Sequence, residues 1–243
     1  MNIFDIPAFT DNYIWAIQID NTISVVDPGD SKPVIDILKE KKLELKDILI
    51  THHHYDHTGG LLELKKYMSG TVYGPKNQNI DGIDVMLVED ELIKTLGYEF
   101  RIIETPGHTL DHIAFYNEEN DVLFCGDTLF SAGCGRLFEG TYDQLHDSIQ
   151  KINTLPEQTK IYCGHEYTLS NLEFVQSEIK SDFIKKKYTE TLEKRSINQI
   201  TLPSTLSIER KINPFLLEIL PDDIKDLKAV NCFKELRIRK DNF

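Results

Sequence analysis

Short apolar stretches alternate with polar punctuation over roughly the first two thirds of the chain, and longer helical stripes follow. Asn2–Ile6, Tyr13–Ile19 and Thr22–Val26 are rich in aromatic and β-branched residues and are parted by Pro, Asp and Asn, which predicts three strands. Pro33–Leu43 sets Val34, Ile37 and Leu38 on one stripe and predicts a helix. The apolar run Asp47–Ile50 then leads into THHHYDHTGG at 51–60. Leu61–Tyr67 reads as helix and Thr71–Tyr73 as strand. Five further strands are expected at 84–88, 91–95, 99–104, 112–116 and 121–125, the last two closing a hairpin across Asn117–Asn120. Thr141 with Gln144 forms a capping box ahead of a helix whose apolar face is Tyr142, Leu145, Ile149 and Ile152, and Lys160–Cys163 is a last short strand.

Beyond about residue 167 the spacing is helical. Leu169, Leu172, Val175 and Ile179 form a stripe, and the Lys-rich stretch 180–195 reads as a solvated helix. Leu202–Leu206 breaks the pattern, Ile208–Ile212 resumes it, and Asp222–Lys240 is expected as one final helix. The division predicted is therefore an α/β domain over 1–165 and a helical domain over 166–243.

Composition narrows the function classes. The 243 residues are 40% hydrophobic and 28% charged, as in an ordinary globular protein. No apolar run reaches the roughly 20 residues of a membrane span, and the N-terminus lacks the pattern of a signal peptide. A net charge of −13 argues against nucleic acid as a partner, and any anionic small molecule must be met by local basic groups. Cys125, Cys134, Cys163 and Cys232 are widely spaced, which suits packing in a reducing cytoplasm better than a disulfide framework.

The chemistry concentrates at 52–57. His52, His54, Asp56 and His57 follow a strand directly, and imidazole with carboxylate is the usual donor set for zinc and other first-row metals. Three more donors stand at expected strand tips: His108 after Thr105-Pro-Gly, Asp127 after Phe124-Cys-Gly and His165 after Ile161-Tyr-Cys-Gly. Seven donors suffice for two cations when one carboxylate is shared. His53 and Tyr55 read as loop packing, Asp27 as a partner for a ligand histidine, and His146 as a surface residue.

His-x-His-x-Asp-His at 52–57, with His108, Asp127 and His165 in that order, resembles the metallo-β-lactamase superfamily. TPGHT at 105–109, CGDTLFSAGCGRLFEG at 125–140, GHEYT at 164–168, PSTL at 203–206, NPF at 213–215 and LRIRKDNF at 236–243 are similar to the signatures of its hydroxyacylglutathione hydrolase (glyoxalase II) family. The resemblance implies an α/β fold, an αββα sandwich with its site at one edge, followed by a helical glutathione-binding domain. It implies two divalent ions, zinc first with iron or manganese as alternatives. His52, His54 and His108 would hold one, Asp56, His57 and His165 the other, and Asp127 would bridge them; Asp56, His57 and Asp127 are assigned catalytic roles as well. Arg136, Phe138, Tyr167, Arg237 and Lys240 would bind substrate. Arg237 and Lys240 also share one helix face by their spacing.

The activity implied is hydrolysis of S-D-lactoylglutathione to D-lactate and glutathione in methylglyoxal detoxification, by a cytoplasmic monomer. Phe138 stands where some relatives carry Tyr, Asp111 where Gly is common, and Leu217 where many carry Arg. None of these departures touches a metal donor. A single-iron dioxygenase on the same fold lacks the long helical extension with PSTL and the closing RxxKD, so this chain argues against it.

Overall fold

The computed structural model describes all residues, Met1–Phe243. Two compact units divide them: Met1–Glu104 with Asp111–Gly126, and Thr105–Leu110 with Asp127–Phe243.

In the first unit, β1 (Asn2–Ala8), β2 (Asn12–Ile19) and β3 (Thr22–Val26) form an antiparallel meander. Helix α1 (Ser31–Lys41) then leads to β4 (Glu44–Leu49), parallel to β3. Two short helices follow, α2 (Tyr55–Thr58) and α3 (Leu61–Leu64), before β5 (Val72–Pro75) and β6 (Val85–Leu87) extend the sheet in parallel. An antiparallel sheet is built from β7 (Leu92–Thr95), β8 (Tyr98–Glu104), β9 (Ile113–Asn117) and β10 (Val122–Gly126).

Period-two alternation explains how the first sheet is buried. Ile6, Ile14, Ala16, Ile23, Val25 and Ile48 join Val34 and Leu38 of α1 in one cluster. The intervening Trp15 and Ile17 are buried as well, so β2 is covered on both faces. Fully burying each such aliphatic side chain is worth about 1.5–3 kcal/mol. On that other face polar groups close a ring: Thr95 Oγ1 donates to Asp47 Oδ2 at 2.6 Å and Ser24 Oγ lies 2.6 Å from Thr95 Oγ1. The Asp47 amide donates to Ser24 Oγ at 3.2 Å. This satisfied network links β3, β4 and β7 where an unpaired carboxylate would be costly. Helix α1 is capped by Asp30, whose side chain accepts the Lys32 amide, and ends at Lys42 in the left-handed region.

Leu61–Tyr67, expected as one helix, stops at Leu64. The amides of Lys66 and Tyr67 bond three residues back, and Ser69 N–H is taken by Leu45 O of β4. The chain thus tightens and rejoins the sheet.

The second unit opens with a small hairpin of β11 (Leu129–Phe130) and β12 (Gly133–Cys134), which the periodicity did not predict. Then come α4 (Tyr142–Asn153), with both bonds of the Thr141–Gln144 capping box, β13 (Lys160–Cys163), α5 (Thr168–Glu178) and α6 (Asp182–Ser196). The break around Pro203 is itself a strand, β14 (Ser204–Thr205), paired antiparallel with β13. After it follow α7 (Leu206–Ile212), a 3₁₀ turn at Pro214–Leu216 and α8 (Ala229–Asp241).

Helix α8 begins at Ala229 rather than at Asp222. Arg239 Nη2 meets Asp223 Oδ2 at 2.6 Å. Sixteen residues of continuous helix would separate this pair by about 24 Å, so the chain must fold back between them. It does so through turns at Pro221–Leu227. No helix is long and apolar enough to cross a membrane.

Candidate metal centre

In the first unit the parallel pairing of β3 and β4 brings two strand ends together, and Asp27 of one meets Thr51 beyond the other. Asp27 is buried, with φ 53°. Its Oδ1 accepts the Thr51 amide at 2.7 Å, and its Oδ2 accepts the Thr51 hydroxyl at 2.7 Å and faces His57 Nδ1 at 3.0 Å. A carboxylate only accepts, so His57 carries its proton on Nδ1 and keeps a lone pair on Nε2. The Thr51 hydroxyl donates its hydrogen to Asp27 Oδ2, so its oxygen accepts from His52 Nδ1, 3.0 Å away. The same carboxylate therefore sets the tautomer of two imidazoles, one directly and one through a hydroxyl.

His52 is fully buried beside His112, whose ring stacks on it at 4.7 Å. His52 Nε2 stands 3.1 Å from His54 Nδ1, and His57 Nε2 stands 3.5 Å from Asp56 Oδ2. Asn12 Nδ2 donates to Asp56 Oδ2 at 2.9 Å, fixing that carboxylate from β2. Gly29 is required here, because a Cβ at that position would run into the Asp56 carbonyl. His53, expected as loop packing, places Nδ1 2.9 Å from Asp111 Oδ1, while Asn77 donates to Asp111 Oδ2 at 2.8 Å.

The second unit carries the remaining donors. His108 is buried and directs Nδ1 at the Arg136 carbonyl, 2.7 Å away, so its Nε2 also bears the lone pair. That Nε2 lies 3.5 Å from Asp127 Oδ2, and His165 Nε2 lies 3.3 Å from the same oxygen. One carboxylate oxygen thus faces two imidazoles. The His165 ring stacks on Tyr167 at 4.7 Å. Gly135 lets the loop pass: a Cβ there would strike the Asp127 carbonyl and lie 3.1 Å from His108 Nδ1.

These separations test whether cations fit. Two ligand atoms bound at 2.0–2.1 Å to one tetrahedral ion stand about 3.3 Å apart. The donor pairs within each unit, at 3.1, 3.5, 3.5 and 3.3 Å, bracket that value. Three of the imidazoles are held with the ligating nitrogen unprotonated. The residues fit divalent metal ions.

Residues expected to meet substrate lie in the second unit. Phe138 is exposed, its ring edge-on to His108 at 5.3 Å. Lys240 Nζ donates to Ser170 O at 3.2 Å and sits over the rings of Phe174 and Phe243. Burial and the Arg237 charge push its pKa down to about 8. Arg237 is 4% exposed; Nη1 donates to Cys134 O at 3.0 Å and Nη2 to Asp241 Oδ1 at 2.9 Å. Arg136 is open to solvent, with Nε 3.3 Å from that same Asp241 oxygen.

The loop carrying Asp127 and the Arg136 carbonyl is suspended from helices of its own unit. Glu209, fully buried, accepts from Ser131 Oγ at 2.8 Å, from the Ala132 amide at 2.7 Å and from Ser204 Oγ. Asn213 Nδ2 donates to Phe130 O at 3.0 Å and Gly133 O at 2.9 Å. Sequence reasoning assigned no role to Asn12, Thr51 and Glu209, and Asp241 entered it only as the end of the closing RxxKD, because each acts through a contact that spacing does not encode. His146, expected on the surface, is largely covered and packs edge-on to Phe233 at 5.8 Å. All four cysteines are buried and free. Burial pushes the Cys134 thiol up to about 11, as befits a packing residue.

A model of the metallo-beta-lactamase superfamily matches residues 9–78 and 67–165, and the chain is a member of that superfamily. Residues 166–243 match the model described as hydroxyacylglutathione hydrolase C-terminus. The hydroxyacylglutathione hydrolase of Pseudomonas savastanoi pv. phaseolicola is 51% identical over 222 residues, covering 89% of this chain and 86% of that protein. That of Erwinia tasmaniensis is 46% identical over 253 residues and covers all of both. Within the superfamily, then, the chain belongs to the hydroxyacylglutathione hydrolase family. Among solved structures, that of ETHE1 from Myxococcus xanthus superposes with a TM-score of 0.67 at 21% identity over 100% of both chains, a likeness of fold.

Proposed function

We propose that this protein is a thioesterase that hydrolyses S-D-lactoylglutathione to D-lactate and glutathione, the reaction that completes methylglyoxal detoxification. The observation that carries this is end-to-end identity of 46% with a curated hydroxyacylglutathione hydrolase, and it is supported by the hydrogen bonds that hold His57 and His108 with Nε2 free of a proton.

On this reading His52, His54 and His108 hold one divalent ion, Asp56, His57 and His165 the other, and Asp127 serves both. Zinc suits the N/O donor set, with iron and manganese as alternatives decided by supply. Bound cations of this kind supply acidified water near neutral pH and polarise a carbonyl. The chain does the rest. Asp27 and Thr51 keep His57 and His52 in the tautomer that ligates, and the Arg136 carbonyl does so for His108. Arg136 and Lys240 meet the carboxylates of glutathione against the repulsion of a chain with net charge −13. Arg237, mostly sequestered, contributes its charge and holds the Cys134 carbonyl. Tyr167 contributes to the glutathione site and Phe138 lines the substrate pocket. A thiolate with pKa of about 8.5 leaves without a strong general acid, so no nucleophilic Ser or Cys is needed.

Segment 166–243 is the glutathione-binding part. The buried free cysteines suit a reducing cytoplasm, and we place the enzyme there as a monomer. The deciding assay is thioester hydrolysis of S-D-lactoylglutathione by wild type and Asp127→Ala, with metal analysis in parallel. Two ions per wild-type chain and near-total loss of activity in the variant are expected. Undiminished turnover by Asp127→Ala would overturn the reading.

A further inference from the structure

We infer that Asp241 is an internal stand-in for a substrate carboxylate: in the free enzyme it occupies Arg136 and Arg237, and so sets how tightly an anionic substrate binds. This rests on the reading of those cations as part of the glutathione site.

Asp241 is the last residue of α8. A carboxylate there faces the negative end of the helix dipole, a place that favours cations. Its position is explained by its partners. Its Oδ1 lies 2.9 Å from Arg237 Nη2 and 3.3 Å from Arg136 Nε. A single oxygen thus serves two guanidinium groups, each of which can grip a whole carboxylate by two parallel bonds. The cluster is under-supplied with acceptors, and a ligand carboxylate offers more than Asp241 does.

The two arginines differ in how they would respond. Arg237 keeps its place without Asp241, since Nη1 holds the Cys134 carbonyl at 3.0 Å and the guanidinium lies over the Phe215 ring at 5.3 Å. Arg136 is 60% exposed and Asp241 32% exposed. Ion pairs this open to water are weak, so a substrate carboxylate displaces Asp241 from Arg136 readily. Lys240, the neighbouring residue, supplies a third cation close enough to feel the charges of both arginines. In the free enzyme Asp241 cancels one of the three positive charges of Arg136, Arg237 and Lys240, leaving an excess of two at the cluster. Without Asp241 the excess is three, and an anion gains more by entering it.

The test is calorimetric binding of S-hexylglutathione, a non-hydrolysable thioether, to full-length metal-loaded protein. Asp241→Asn is expected to bind roughly two- to fivefold more tightly than wild type, the scale of an exposed ion pair. Asp241→Glu, which keeps the charge, should bind as wild type does. In an Arg136→Gln background the gain from Asp241→Asn should shrink to near nothing, a non-additivity that a purely structural role would not produce. Binding by Asp241→Asn that equals or falls below wild type, or a gain that persists in full without Arg136, overturns the inference while the glutathione reading stands. Failure of wild type itself to bind the thioether defeats that reading and the inference together.

Discussion

Asp27 Oδ2 stands 3.0 Å from His57 Nδ1 and accepts the Thr51 hydroxyl at 2.7 Å, so one buried carboxylate oxygen governs two expected metal ligands. Asp27→Asn would present either its carbonyl or its amide to this pair of donors, never two acceptor oxygens. We expect metal affinity to fall roughly 10- to 100-fold, the usual cost of losing such a partner, with the fold retained. Competition against a graded series of chelators measures it. Wild-type affinity in the variant would mean that Asp27 serves the fold alone.

Lys240 makes a pH dependence. Its pKa is depressed to about 8, by burial first and then by Arg237; Arg136 acts in the same direction, while Glu173 and Cys134 oppose it. Below pH 8 the ammonium is present to meet a carboxylate; above it the charge is lost. KM for S-lactoylglutathione should therefore climb as pH passes 8, while Lys240→Arg, charged throughout, should keep a flatter profile. Stability responds in the opposite sense. Between the folded value and the ordinary 10.5 the unfolded chain binds more protons, so this group favours folding increasingly as pH rises. A KM profile that is equally steep in Lys240→Arg would remove Lys240 from substrate binding.

Glu209 ties the Asp127 loop to α7. Burial raises its pKa, against the pull of Ser204, Ala132, Ser131 and Asn213. Glu209→Ala leaves those donors without an acceptor in a dry site, and should cost about 2–4 kcal/mol in denaturant unfolding. Because folding raises this pKa, the wild-type contribution of Glu209 declines as pH rises from the ordinary carboxyl value through the folded one. A loss below about 1 kcal/mol would show that water replaces the carboxylate.

How much of this was legible beforehand follows from the range of each interaction. The strand tips at His108, Asp127 and His165 were visible because Pro-Gly or Cys-Gly after an apolar run is a local signal. The capping box at Thr141–Gln144 is local too, and both of its bonds form. The early start expected for α8 failed because the Asp223–Arg239 pair, which accompanies the turn, joins residues 16 apart. β14 escaped notice because two residues show no periodicity; only pairing with Lys160 and Ile161 makes them a strand. Within the candidate site, donors could be read from residue type. What orients them could not: Thr51 accepts from His52 only because Asp27, 24 residues earlier, accepts the Thr51 hydroxyl hydrogen bond.

Asn12 offers a way to disturb one ion and spare the other. Its Nδ2 holds Asp56 Oδ2 at 2.9 Å and the Asp56 carbonyl at 3.3 Å, from a residue 7% exposed. Asn12→Ala removes both bonds and frees the Asp56 carboxylate to rotate. His52 and His108 keep their own supports, since Thr51 and the Arg136 carbonyl are untouched. Under limiting metal the variant should therefore approach one ion per chain where wild type holds two, with the weaker site losing about tenfold or more in affinity. Metal analysis after dialysis against a weak chelator gives the ratio directly. Parallel loss of both ions would mean that the sites fill only as a pair and that Asn12 does not act on one of them alone.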